Sequence, residues 1–475
     1  MIEKGGMTMS VLVFDFGASS ARAMIADLKD GRIDLTEVHR FPNTPITVDG
    51  TLYWDIDALF AEIRVALEKA EPYGYGAVSI DTWGVDFAIL DEAGNFVEKP
   101  VHYRDRRTAA VYDEVNGFFG GAEKLYQKTG IQPEWFNTIY QLYALKKARP
   151  ESLSGNVRFL MMPDLIAHYL TGEFHNEIAE ASTTSLLNPA TQGWDREILN
   201  TLGISAGIFC PLLRTGERYG FLKPEFTRRK MAIPVIAVPS HDTAAAVAAV
   251  PAEEDEFIFI STGTWALFGT ELSRPVISGE AFRAGLTNER GHGESVTLLK
   301  NIMGMWLLQE CRRDLTEKGT PMSFAEMESL AAGAPEGGKI DPNDESFAAP
   351  GEMLQKIADH LKKTGQPVPA ETAGLLRAVY DGLAAAFAQT LTDLEGITNR
   401  HYEKLYLFGG GSKDALLCQL TANRTGRIVV AGPSEATAVG NALCAFVGAG
   451  ELKSVAEGRA LVRRSAGTKI YRPNE

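Results

Sequence analysis

Val11-Leu-Val-Phe-Asp-Phe-Gly-Ala-Ser-Ser-Ala-Arg22 opens the structured part of the chain. Its apolar run, small-residue turn and second run to Leu28 predict two strands joined by a tight hairpin. Asp15 closes the first run, so its carboxylate emerges at a strand end beside the turn. A desolvated carboxylate there requires donors or a cation. Gly17 frees the backbone to curl, and Ala18, Ser19 and Ser20 keep the loop small enough for amide N–H groups to approach an anion. Ser19, Ser20 and Arg22 add donors of their own. A carboxylate next to such a loop makes sense when Mg²⁺ bridges it to a phosphate. A single copy supports a plainer reading equally well, a hairpin turn in which Asp15 caps its own backbone.

The pattern returns half a chain later. Phe257-Ile-Phe-Ile-Ser-Thr-Gly-Thr-Trp-Ala-Leu-Phe-Gly269 is again strand, small-residue turn and strand, now without a carboxylate. Two phosphate-grasping hairpins with one acidic residue between them suit a nucleoside triphosphate and its metal. Outward from the first hairpin, 32–41 reads as a third strand, 56–70 as a helix, 77–80 as a buried strand and 85–97 as a hairpin. Residues 234–238 read as a strand and 240–250 as an Ala-rich helix. After the second hairpin come a helix at 375–394, a strand at 405–408, a helix at 416–423, a strand at 428–430 and a closing helix at 435–447. The whole predicts a duplicated α/β architecture with its ligand between the halves. The polar patch Pro251-Ala-Glu-Glu-Asp255, with its helix breaker, marks the boundary. One unit is expected over 10–250, a second over 251–450 and an extension over 451–475. Residues 318–366, rich in Gly, Pro and charge, read as an excursion or lid.

Three further stretches carry candidate chemistry. Gly409-Gly-Gly411 removes side chains where a flat group such as adenine could lie on the backbone, while Ser412 is placed to cap the helix that follows. Ser240-His-Asp-Thr243 opens the Ala-rich helix. With Ser240 available as the cap, Asp242 is left either as a second helix-start acid or as a base for a substrate hydroxyl. Gly333-Ala-Pro-Glu-Gly-Gly-Lys339 satisfies G-x-x-x-x-G-K, but Ile340 stands where Ser or Thr must hold Mg²⁺ and helix-like sequence precedes it. It is not a P-loop. Residues 432–437 read as an ordinary helix start without chemistry.

Composition sets the outer limits. The 475 residues carry 47 Lys+Arg against 61 Asp+Glu, a net charge of −14, which disfavours nucleic acid or an anionic membrane as the main partner. Four scattered cysteines give neither a disulfide framework nor a zinc ribbon and fit a reducing cytoplasm. No run of about eighteen apolar residues occurs. The polar start is not a signal peptide, and Met7 or Met9 is a candidate true start.

Together these pieces resemble the FGGY carbohydrate kinases. The resemblance runs through Gly17 to Ser20, Tyr53-Trp54-Asp55, Ile80-Asp-Thr-Trp-Gly-Val-Asp-Phe87, Tyr103-Arg-Asp105, Ser240 to Thr243, Ser261 to Trp265, Lys300-Asn-Ile-Met-Gly304 and Gly409 to Gly411. It implies an α/β fold of two actin-like (ribonuclease-H-type) domains with an ATP and sugar cleft between them. It further implies that Ala18, Ser19, Ser20, Ala21 and Arg22 contact ATP phosphates and that Asp15 helps hold Mg²⁺. Thr264, Gln309 and Gly410 would touch the nucleotide. Gly84, His241, Asp242, Thr243 and Asn301 would line the sugar site, with Asp242 as general base. Ala21 departs from the family's loop, which commonly has Gly there, so its own contact is less secure. Trp83 is either core or an apolar face for a deoxy methyl group. The 80–87 and 300–304 stretches are the discriminating ones, and they imply a ketose acceptor, L-rhamnulose, phosphorylated at its C1 hydroxyl. L-Fuculose or D-xylulose are the alternatives within the family. An actin-like ATPase driving a partner is the alternative outside it. The expected partners are the ketose and ATP, with the chain a monomer or homodimer.

Overall fold

In the computed structural model, residues 9–254 and 256–474 are described. Met7 and Asp255, of the candidate start and boundary patch, lie outside the described residues. The opening hairpin forms as expected, β1 (Ser10–Phe16) against β2 (Ser20–Lys29), and β3 (Arg32–Pro42) extends it antiparallel. β4 (Ala77–Asp81) pairs with β1 in parallel. On the far side lie β5 (Arg218–Phe221) and β6 (Pro234–Ile236), of which β6 runs parallel to β4. The order is β5-β6-β4-β1-β2-β3. β1 is buried on both faces: Leu12, Phe14 and Phe16 enter one apolar cluster while Val11 and Val13 enter another. That two-residue alternation is what a central strand requires.

The second half repeats the plan. β7 (Ile258–Thr262), β8 (Trp265–Leu272), β9 (Leu286–Arg290), β10 (Val296–Met303), β11 (Lys404–Gly409), β12 (Ile428–Ala431) and β13 (Lys469–Tyr471) form a sheet. Its order is β9-β10-β8-β7-β11-β12-β13. The series β10-β8-β7-β11-β12 matches β3-β2-β1-β4-β6 in order and direction, antiparallel first and then parallel. The duplication inferred from two hairpins therefore extends through five strands.

Each series is followed by a helix, α1 (Asp242–Ala248) after β6 and α2 (Ala436–Gly448) after β12. The two helices pack face to face. A Cβ placed on Gly440 would lie 1.8 Å from the Ala245 carbonyl oxygen, so only glycine permits the approach. The cluster around them draws Val11 and Val13 from the first sheet, Phe259 from the second, and Phe257 from just before β7. One spine thus serves both halves, and the strand ends that carry the small-residue turns open onto a common cleft.

Two expectations need correction or refinement. Residues 318–366 are an excursion but not a lid. Helices Phe324–Ala332 and Met353–Lys363 bury Met327, Ile357 and Leu361 in the core of the second sheet. Residues 333–339 follow a helix rather than a strand, and Gly338 abuts Leu361, which removes the P-loop context. Helix Val455–Ser465 packs Leu461 and Val462 into the shared spine, and β13 joins the second sheet.

Candidate active site

A cavity of about 360 Å³ lies between the sheets, walled by both small-residue turns, the glycine triplet and the start of α1. The first turn is held by Gly17 N–H donating to the Ser20 carbonyl and by Asn43, which donates from its amide to Ser19 and from its side chain to Gly17. The second is held by the residues that follow β10. The Gly304 and Trp306 amides donate to the Thr264 carbonyl, and a Cβ on Gly304 would press within 2.7 Å of backbone at 265–266. Closing Lys300-Asn-Ile-Met-Gly304 with glycine is therefore a matter of backbone approach.

Asp15 is buried at the end of β1, and its carboxylate accepts from the Arg22 guanidinium, which also pairs with Glu435 of the opposite half. Asp81 lies beside it in register on β4. One Asp81 oxygen accepts from the Asn441 amide of α2, and the other, also buried, has no hydrogen-bond partner among the described residues. Burial pushes both carboxyls upward, and the charge of Asp15 pushes Asp81 further. Two neighbouring carboxylates with an unsatisfied buried oxygen fit a Mg²⁺ ion, which takes one or two carboxylates and completes its shell with phosphate and water. Asp15 and Asp81 would hold it.

Asp242 is the first residue of α1, with its amide donating to Thr82 and its side chain one-third exposed. Its Oδ1 accepts from Thr243 Oγ1 at 3.1 Å. Burial raises its pKa, and the His241 imidazole and Thr243 pull it back. Ser240 is not the cap that the sequence predicted. Its amide and hydroxyl both donate to Glu177 Oε2, at 3.1 and 2.8 Å, and His241 occupies the cap position without a side-chain bond. Glu177 itself caps helix Ile178–Ser182, which leads into Thr183 of the cavity wall. Gly84 faces Thr183 and the His241 ring, where a Cβ would come within 3.2 to 3.4 Å. Next to it Val85 has φ 71°, costly for a branched residue and sustained by bonds from Thr138 and Gln141 to its carbonyl and from its amide to Thr183. Trp83 is both core and wall: its Nε1 donates to Asp86, its ring lies 4.0 Å from that of Trp54, and its edge meets the cavity.

Of the residues singled out from sequence, Asp15, Ala18, Ser19, Arg22, Gly84, His241, Asp242, Thr243, Thr264, Asn301 and Gly410 meet at this cavity. Ser20, Ala21 and Gln309 are not among its lining residues. Ala21 points into the core opposite Phe41, and Gln309 is exposed on helix Trp306–Glu317. Ser412 does not cap the next helix; it donates back to Gly409, and Asp414 is the cap. Gly409 and Gly411 are small because Thr262 of β7 approaches each within 3 Å of a would-be Cβ, while Gly410 is open. The segment 432–437, read as chemically silent, puts Ser434 and Thr437 in the wall and supplies Glu435 to Arg22. Sequence reasoning also missed Asp81, although it ends an apolar strand just as Asp15 does. It missed Glu289, and Glu134, whose carboxyl burial pushes up to about 7.

The family models for the N-terminal and C-terminal domains of the FGGY family of carbohydrate kinases match residues 10–248 and 258–449. The chain belongs to the FGGY family. This FGGY kinase is 39% identical over 473 residues to a rhamnulokinase of Bacteroides thetaiotaomicron, covering 99% of this chain and 97% of the relative. It is 40% identical to a rhamnulokinase of Halalkalibacterium halodurans, covering 97% of this chain and 98% of that one. Its fold is that of a xylulose kinase from Lactobacillus acidophilus, with a TM-score of 0.80 at 17% identity, covering 98% and 94% of the two chains. A Plasmodium falciparum glycerol kinase solved with ADP gives a TM-score of 0.79 at 15% identity, with coverages of 98% and 94%. The two-domain actin-like architecture is thus established, and the enzyme is an ATP- and Mg²⁺-dependent phosphotransferase acting on a sugar. Among the described residues no helix is long and apolar enough to cross a membrane.

Proposed function

We propose that this FGGY kinase phosphorylates L-rhamnulose at its C1 hydroxyl, giving L-rhamnulose 1-phosphate and ADP. The observation that carries the reading is the similarity of about 40% to rhamnulokinases along nearly the full length of both chains. Asp242 is placed by this reading as the general base. Its carboxylate takes the C1 hydroxyl proton as the oxygen attacks the γ-phosphorus in line, and the bond to the bridging oxygen breaks to release ADP. Ala18, Ser19, Thr264 and Gly410 would cradle the nucleotide, with Arg22 neutralising phosphate charge. Gly84, His241, Thr243 and Asn301 would contact the sugar. Asp15 and Asp81 would hold Mg²⁺, which would supply charge neutralisation on the transferred group. Ser20 and Ala21 are then supports of the phosphate turn rather than ligands, and Gln309 lies outside the cavity wall. Water competes with the sugar as nucleophile, so a cleft walled from both halves suits a sugar kinase. We read the setting as cytoplasmic, in keeping with four buried free thiols. A ketose panel with Mg-ATP and coupled ADP detection tests the assignment. Fastest turnover is expected on L-rhamnulose. Faster turnover on L-fuculose or D-xylulose, or ATP turnover independent of sugar, would overturn it.

A further inference from the structure

Strand β9 is the outer edge of the second sheet, and it is stitched to the first half rather than left open. The Asn288 amide donates to the Gly130 carbonyl, the Gln132 amide donates to Thr287 Oγ1, and the Arg290 amide donates to Ser182 Oγ. Glu289 sits in the middle of this seam with its side chain in the cavity wall. Its Oε2 lies 3.2 Å from His241 Nδ1, and the other ring nitrogen, Nε2, lies 3.6 Å from Asp242 Oδ1. Gly84 closes off one side of the ring, leaving its Cδ2 only 3.4 Å from a would-be Cβ. The imidazole is therefore set between one carboxylate from each half of the molecule.

The structure assigns Glu289 as a positioning residue for the phosphoryl transfer: reaching across from the second half, it fixes the His241 ring against Asp242. The base is then fully oriented only when the two halves are together. The inference rests on Asp242 being the base, as proposed above, and holds for whichever ketose is the acceptor. The electrostatics agree with the geometry. Glu289 and Asp242 both raise His241 against its burial, and among the groups acting on Asp242 the His241 cation is the first to favour its charged form. Glu177 and Glu180, from the segment beside Ser240, and Asp15 and Asp81, at the ends of β1 and β4, also surround this pair. Within this ring of carboxylates, Glu289 and Asp242 favour the charged imidazole, and the charged imidazole in turn favours the charged form of Asp242. Glu289 does this through His241 and not by touching the reacting atoms.

A double-mutant cycle separates this role from direct sugar binding. Glu289→Ala, Glu289→Gln, His241→Asn and the double variant Glu289→Ala/His241→Asn are assayed on the ketose that wild type uses fastest. Glu289→Ala is expected to lower kcat at least tenfold with the KM for ATP within twofold. Glu289→Gln, which keeps an oxygen of the same reach facing Nδ1 but not its charge, should retain more than Glu289→Ala. In the His241→Asn background, removal of Glu289 should cost less than threefold, because its effector is already gone. Melting temperature and ATP binding establish that each variant folds; if Glu289→Ala does not, Glu289→Gln completes the same cycle. An unchanged kcat with a raised ketose KM would make Glu289 a sugar ligand and overturn the proposal. So would an equal kcat loss in both backgrounds. Failure of the underlying reading is visible separately, as an Asp242→Asn variant that turns over ketose within a few-fold of wild type, and takes this proposal with it.

Discussion

Asp242 has two possible duties at a helix start, and its surroundings separate them. Asp242→Asn keeps a side-chain oxygen for the Thr243 hydroxyl and amide that favour the carboxylate, so it removes a proton acceptor while leaving the helix-start bonds an acceptor. Turnover is expected to fall about 10²–10⁴-fold, with melting close to wild type and ATP binding retained. A variant within a few-fold of wild type would place the base elsewhere. The same residue sets a pH dependence. Burial raises its pKa, and a base works only when ionised, so kcat should rise with pH through a limb above the ordinary aspartate value of about 4. A kcat that stays flat down to pH 4 would contradict this. Ser240→Ala should keep most of the rate and lose modest stability, through the bond to Glu177 rather than through a cap. That distinction was not legible in the sequence. A serine before a helix invites a local cap, whereas its real acceptor lies 63 positions away. Ser412 is a related case: its hydroxyl donates to the Gly409 carbonyl three residues back, and Asp414 takes the cap.

At the scale of elements, period-two and period-3.6 patterning was enough to find both hairpins, the parallel strands after them and the Ala-rich helices. The glycines were found but partly misread, because the sequence does not reveal which backbone will pass close by. Gly409 and Gly411 answer to Thr262, and Gly440 to Ala245. Gly440→Ala is the sharpest test of this reading. The intruding methyl would meet a carbonyl oxygen and two further backbone atoms within 3.2 Å, so no rotamer change relieves it. Overpacking of a core costs about 1–3 kcal/mol and more where only backbone can yield, so the variant should melt far lower or fail to accumulate folded. Thermal melting of purified protein measures it, and an unshifted midpoint would mean that α1 and α2 are not in contact. The reading of 318–366 left excursion and lid open because Gly, Pro and charge describe its connecting loops. The apolar residues that decide its packing are spaced thinly through two amphipathic helices.

For the whole molecule, that correction changes what a protease should detect. A lid would be cut in free enzyme and protected by sugar; a segment anchored by Phe347, Ile357 and Leu361 in the second core should resist in both states. Limited proteolysis with and without ketose is expected to leave 318–366 intact throughout, and rapid cleavage there in free enzyme would restore the lid. The duplication carries a further consequence. The two halves repeat five strands and a helix, but their functional charges do not repeat. Where β1 carries Asp15 and β4 carries Asp81, their counterparts on β7 and β11 are Ser261 and Phe408, and where α1 begins with Asp242, α2 begins with Ala436. A scaffold with near two-fold repetition would by itself accept an elongated ligand either way round. Placing the acids on one copy and hydroxyls and bare backbone on the other gives the cleft a polarity. Under the proposed function, a metal held by those acids would draw the phosphate tail of a nucleotide to one side and leave its uncharged ring to the other, so the reactive end would always arrive where the sugar waits.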